Sequence, residues 1–123
     1  MLFRSPDPVL LFRFSALTFN SHRIHYDRPW ATEREGYPAL VVHGPLTSTL
    51  LIDFASDHID GRPILSYETQ ARAPLFDTAP FELRGRPAAD GRSALGRDPG
   101  RHGGHERPGR ARLTTERTTD DGR

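Results

Sequence analysis

Residues 45–58, PLTSTLLIDFASDH, hold the pattern that most limits what this chain can fold into. Leu46, Leu50, Leu51, Phe54, Ala55 and then Ile59 recur at helical spacing. They form one broad apolar stripe on a helix of about 14 residues, roughly 20 Å long. Pro45 suits the first turn, with Gly44 just ahead of it. Gly61, in Asp60-Gly61-Arg62-Pro63, is placed to end the helix in a left-handed cap. A helix of this kind needs an apolar wall around its stripe.

Candidates for that wall lie on both sides. SPDP at residues 5–8 reads as an extended or turn segment, because each proline keeps the residue before it out of the α region. VLLFRF at residues 9–14 is short, apolar and bounded by that turn, which predicts a buried strand. Residues 27–33, DRPWATE, predict a short helix capped by Asp27, with Pro29 in its first turn and Gly36-Tyr37-Pro38 ending it. Beyond the central helix, residues 64–75 alternate weakly and predict a long strand that ends near Pro74. Residues 76–80 then predict a hairpin connection to a returning strand that starts with Phe81-Glu82-Leu83-Arg84.

From Arg84 onward the only large apolar residues are Leu95 and Leu113, while ten of the 17 basic residues and eight of the 11 glycines fall there. A segment with so little to bury is expected to stay disordered. The expected organisation is therefore a core domain over residues 1–87 and a disordered Arg/Gly/Pro-rich tail over 88–123, with Ala94–Pro99 as the last trace of a strand and turn. The net charge of +1 points to no acidic partner, and arginine without any lysine suggests a GC-rich coding sequence more than a selected binding surface. With no cysteine, disulfides and thiolate metal sites are excluded. No apolar run approaches the roughly 20 residues of a membrane span, and the run 9–12 is too short for a secretory leader. A cytoplasmic protein with no membrane and no nucleic-acid partner is expected.

The groups that carry chemistry concentrate in residues 14–46, which hold His22, His25, His43, Asn20, Asp27 and the helix-opening Gly44. Histidine can take and return a proton near neutrality. A glycine N–H at a helix start can meet a developing oxyanion. Each residue also has a structural explanation: Asn20 and His22 as turn residues bonded to their own backbone, Asp27 as a helix cap that in addition orients His25, His43 as a packing or capping residue, and His58 as a complement to the helix dipole. His22, His25 and His43 could in principle form a three-histidine metal site, but no carboxylate completes it, so no metal is expected. His102 and His105 lie among arginines without aromatics for base stacking, so that segment is expected to be solvated.

Two blocks, LTFNSHRIHYD at residues 17–27 and VHGPL at residues 42–46, resemble the MaoC-like hydratases and dehydratases of the hotdog fold. Within that family they are most similar to the branch of mesaconyl-CoA-type (3-methylfumaryl-CoA) hydratases and type 2 hydroxyacyl-thioester dehydratases. The resemblance covers residues 6–91. It implies an α+β hotdog fold, an antiparallel sheet wrapped round a central helix, here incomplete. Five or more strands are usual there, whereas one is legible before the helix and two after it. A truncated or C-terminally frameshifted member is expected, with the edge left by residues 81–84 needing a partner.

The resemblance also implies roles. In the (R)-specific enoyl-CoA hydratases the first block carries aspartate, asparagine and histidine, which fall ungapped on Asn20, His22 and His25. The family's histidine is thus present and its acid is not. His25 is expected to act as base and acid, Asn20 to position water and Gly44 to donate to the thioester oxyanion, with His22, Asp27 and His43 as accessory residues. The implied substrate is an acyl-CoA thioester, without a further cofactor, and the implied partner is a second hotdog half or a second copy. The alternatives are a non-catalytic hotdog remnant that binds acyl-CoA or dimerises, and an acyl-CoA thioesterase, because the fold hosts that reaction too.

Overall fold

Asp7 decides the fate of the first apolar run. In the computed structural model, which describes residues 2–70, 73–87, 92–99 and 110–115, its carboxylate accepts from the N–H groups of Val9 at 2.9 Å and Leu10 at 3.0 Å. Pro8, with no N–H to satisfy, takes the first helical position. The outcome is helix α1, Pro8–Leu17, and not the strand expected for residues 9–14. An apolar run of this length serves either element, and the cap settles it. The strand on this side of the molecule is instead β1, Leu2–Arg4.

The chain then turns through a tight helical turn at Arg23–His25 and a wide one at Trp30–Arg34. Asp27 caps the second as expected, accepting from the Trp30 N–H at 3.1 Å. Gly36 leaves that turn with a positive φ of 72°, a conformation that costs glycine least. Helix α2, Gly44–Ser56, is the stripe foreseen in the sequence: Leu46, Leu51, Phe54 and Ala55 are buried, Ile59 just beyond it is too, and Leu50 packs partly against them. The helix ends before Gly61, with Asp57 as its C-cap, and not at the expected glycine cap; Gly61, at φ 73°, takes its left-handed position in the turn beyond.

β2 (Ile64–Gln70), β3 (Phe81–Pro87), β4 (Arg92–Pro99) and β5 (Arg110–Thr115) complete an antiparallel sheet in the order β1-β3-β4-β5-β2. Residues 76–80 are therefore not a hairpin. They belong to a crossover, since β2 pairs with β5 (Ile64 with Thr115, Gln70 with Arg110) while β3 pairs with β1 and β4. For the same reason β3 is an interior strand, not the uncovered edge expected at residues 81–84. β4 and β5 correct the expectation of disorder over the residues they occupy. Their ladders are made by main-chain groups, which need no apolar alternation. The rest of 88–123, including His102 and His105, lies outside the described residues.

The core joins the two layers. Leu11 of α1, the stripe of α2, Leu40 and Val42, Leu75, and Phe81 and Leu83 of β3 form one buried cluster. Residues 40–42 run through its middle as a short extended segment, bonded on one side to Ile24 (Val41 N–H to Ile24 O, 3.0 Å) and on the other to Leu75 and Asp77 (Val42 N–H to Leu75 O, 2.8 Å; Asp77 N–H to Leu40 O, 3.1 Å). The Asp77 carboxylate, paired with Arg28, also accepts from the Leu40 N–H at 3.1 Å. This segment fixes where α2 begins.

Candidate active site

Where α2 begins, two imidazoles meet. The bond between Val41 and Ile24 brings His25 alongside, and His25 is 7% exposed. Its Nδ1 lies 2.7 Å from the Val41 carbonyl oxygen. A carbonyl can only accept, so Nδ1 carries the hydrogen and Nε2 is the lone-pair nitrogen of the neutral ring. The His43 ring stacks on His25 with centroids 3.8 Å apart and planes 18° from parallel. His43 is fully buried, packs T-shaped against the Phe14 ring with centroids 4.8 Å apart, and shares a 2.7 Å hydrogen bond between its Nε2 and the Ser15 hydroxyl of α1.

Burial acts on both rings. It pushes the His25 imidazole below the usual 6.5, against the Val41 hydrogen bond, which favours the charged form, and with His22, which disfavours it. His43 is pushed to about 4 by burial and then by the neighbouring His25. Two imidazolium charges at this spacing would repel by about 4 kcal/mol at an effective dielectric constant near 20. When His25 holds a proton, His43 stays neutral. The Nδ1 of His43 is buried without a partner, an arrangement that costs on the order of 1–3 kcal/mol.

The remaining sequence-expected residues surround this pair. Asn20 accepts from the His22 N–H at 3.0 Å, and its own N–H donates to Ser15 O at 2.9 Å. Its side-chain oxygen is thus occupied by the turn, leaving the amide NH₂ as the group able to hold a ligand. The His22 ring is exposed and meets the His25 ring edge-on at 5.6 Å. Asp27 does not orient His25. It is bound by Arg23 at 2.6 Å, which holds its carboxyl below the usual range, and by the Trp30 N–H. His43 precedes α2 but its side chain does not cap it. His58 donates from Nδ1 to Phe54 O at 2.7 Å, tying down one of the last carbonyls of α2.

Gly44 is exposed at the first position of α2, where the N–H has no acceptor within the helix. A Cβ built on it would meet nothing within 4 Å. The protein's own packing therefore does not require glycine there, and the space above it is open. Ser15 and Val41 were not foreseen. Their signal lies in the helical phase of α1, which puts Leu11 and Ser15 on one buried face, and in the extended 40–42 segment. Among the described residues no group of three or more histidines, cysteines or carboxylates is arranged to hold a metal ion, and no helix is long and apolar enough to cross a membrane.

A five-stranded antiparallel sheet packed on a buried helix is the hotdog fold, and here a histidine pair lies at that helix's amino end. Solved structures of the same fold include the (R)-hydratase from A. caviae involved in PHA biosynthesis (TM-score 0.64, 18% identity, 94% of this chain and 92% of that one). Another is the ChsH1-ChsH2 complex from Mycobacterium tuberculosis (TM-score 0.66, 17% identity, 94% and 92%). Residues 3–77 match the family described as hydroxyacyl-thioester dehydratase type 2, and the chain belongs to that family. It is 62% identical over 85 residues to mesaconyl-C(4)-CoA hydratase of Chloroflexus aurantiacus, covering 69% of this chain and 30% of that protein. It is 46% identical over 81 residues to the mitochondrial hydroxyacyl-thioester dehydratase type 2 of Schizosaccharomyces pombe, covering 64% and 27%. The chain thus spans less than a third of the length of these curated relatives.

Proposed function

We propose that this chain carries the proton-transfer half of a hydro-lyase that adds water to, or removes it from, an α,β-unsaturated acyl-CoA thioester, with a mesaconyl-CoA-like acyl group. The observation that carries this is His25: a buried imidazole with Nδ1 committed to Val41 and Nε2 left for exchange, stacked on the residue next to the open Gly44. In hydration, Nε2 of His25 takes a proton from water while the water oxygen bonds to the β-carbon. The electron pair of the double bond moves onto the thioester oxygen as an enolate. The Gly44 N–H, at the positive end of α2, meets that oxygen. The imidazolium of His25 then returns the proton to the α-carbon. Asn20 cannot exchange a proton, and its free NH₂ holds the water by one lone pair. No cofactor beyond the thioester is needed.

A second hotdog half or a second copy of the chain completes the substrate site. The short match to longer relatives supports this, as does a structural neighbour that is itself a complex of two proteins. The test is loss of enoyl absorbance on a mesaconyl-type thioester, parent against His25→Ala. A loss of roughly 10²–10⁴-fold is expected, and a variant within about tenfold of the parent would overturn the role. Release of free thiol without enoyl loss would make the protein a thioesterase instead.

A further inference from the structure

Ser15 and His43 have no step in the reaction above, yet they form the most buried polar contact at the site. A hydroxyl 2.7 Å from an imidazole resembles a nucleophile and its base. Here that role fails on access, because Ser15 is 5% exposed and His43 is 0% exposed. It fails on proton affinity too, since His43 stays uncharged near neutrality. Simple packing does not explain the pair either. Whichever partner donates in the Ser15–His43 bond, Nδ1 of His43 remains buried and unpartnered, a penalty that an apolar ring of similar size would avoid.

The geometry gives the imidazole a different use. The His25 ring is held at its Nδ1 edge by one hydrogen bond, to a carbonyl of the 40–42 segment. One bond fixes an edge and leaves the ring free to tilt about it. The face of His43 removes that freedom, and Ser15, reaching from a different helix, fixes the face of His43. We propose that Ser15 and His43 are positioning residues. The Ser15 hydroxyl clamps the His43 ring from α1, and the clamped ring holds His25 in the single orientation that keeps Nδ1–H on Val41 and Nε2 directed to the reacting atoms. The second half of that statement rests on the hydratase reading; the clamp itself does not.

The test separates the two. In the isotope-labelled 123-residue chain, the His25 Nδ1–H proton is followed by NMR for its exchange with water, in the parent, Ser15→Ala and Ser15→Thr. Removing the hydroxyl is expected to speed that exchange roughly fivefold, about the equilibrium worth of one ordinary hydrogen bond. Threonine, which keeps the hydroxyl, is expected to restore the parental rate. The hydration assay on the same proteins is expected to show kcat lowered roughly five- to tenfold in Ser15→Ala with KM within about twofold. An unchanged His25 exchange rate in Ser15→Ala overturns the clamp whether or not the parent hydrates the thioester. If the parent shows no hydration even with a second hotdog half supplied, but the exchange rate responds, the clamp stands and the hydratase reading falls. Should Ser15→Ala lose the parent's amide dispersion, Ser15→Cys, a weaker donor, gives the same reading: faster exchange supports the clamp and a parental rate overturns it.

Discussion

His25 and His43 lie face to face, 3.8 Å between ring centroids, with one ring bonded to Val41 and the other to Ser15. Only one of the two can carry charge at a time. Burial and this contact together assign the proton to His25.

That assignment sets the pH dependence of the reaction. The base must be neutral to accept from water, and burial lowers His25 below 6.5. For hydration, kcat/KM is expected to rise with pH through an inflection below 6.5 and to be flat above it. Because His22 contributes to the lowering, His22→Gln should move the inflection upward. A pH–rate series on both proteins checks this, and an inflection above 6.5 in the parent would contradict the buried-base scheme.

His43 governs stability in acid. Its folded-state value, about 4, is depressed from 6.5, so the unfolded chain binds the proton more readily. The contribution is complete above 6.5 and is lost as pH falls toward 4. Its size is on the order of 3 kcal/mol, and His25 adds in the same direction. Urea unfolding across this range should show the loss in the parent and a shallower one in His43→Phe.

Gly44→Ala separates folding from chemistry. The added Cβ meets no protein atom within 4 Å, so stability should hold or rise by up to about 1 kcal/mol. Hydration should nevertheless fall roughly tenfold or more, because the methyl occupies the approach to the Gly44 N–H. Equal activity in the two proteins would remove Gly44 from the site.

Asp7→Ala tests the beginning of α1. Two N–H groups lose their acceptor, and a loss of about 1 kcal/mol is expected from the urea midpoint. If residues 8–17 were a strand, no cap would be lost and the midpoint would not move.

Phe19 is 96% exposed at a positive φ of 52°, a region that disfavours any residue with a bulky side chain. Phe19→Asn is expected to stabilise the chain by up to about 1 kcal/mol, again from the urea midpoint.

What could be read in advance follows from where the determinants lie. α2 was legible because its buried side chains are its own periodic signal. α1 was not, because VLLFRF alone suits strand or helix, and the deciding group, Asp7, looks equally like a turn residue. Losing that helix also hid Ser15, whose partnership with Leu11 exists only in helical phase. β4 and β5 carry almost no apolar alternation; their place comes from ladders with neighbours on both sides. His25 and Gly44 were marked by resemblance to known hydratases. The stack that links them through His43 joins residues 18 apart in the chain and is held by a Ser15–His43 bond across 28, which no local pattern reveals.

The contacts that aim His25 close loops of 16 and 28 residues, whereas the sheet closes by joining Ile64 to Thr115 and Leu2 to Leu83. Aim and scaffold are therefore written in different parts of the gene. Changes confined to the later strands would bear on robustness first, while the ring keeps pointing where it did.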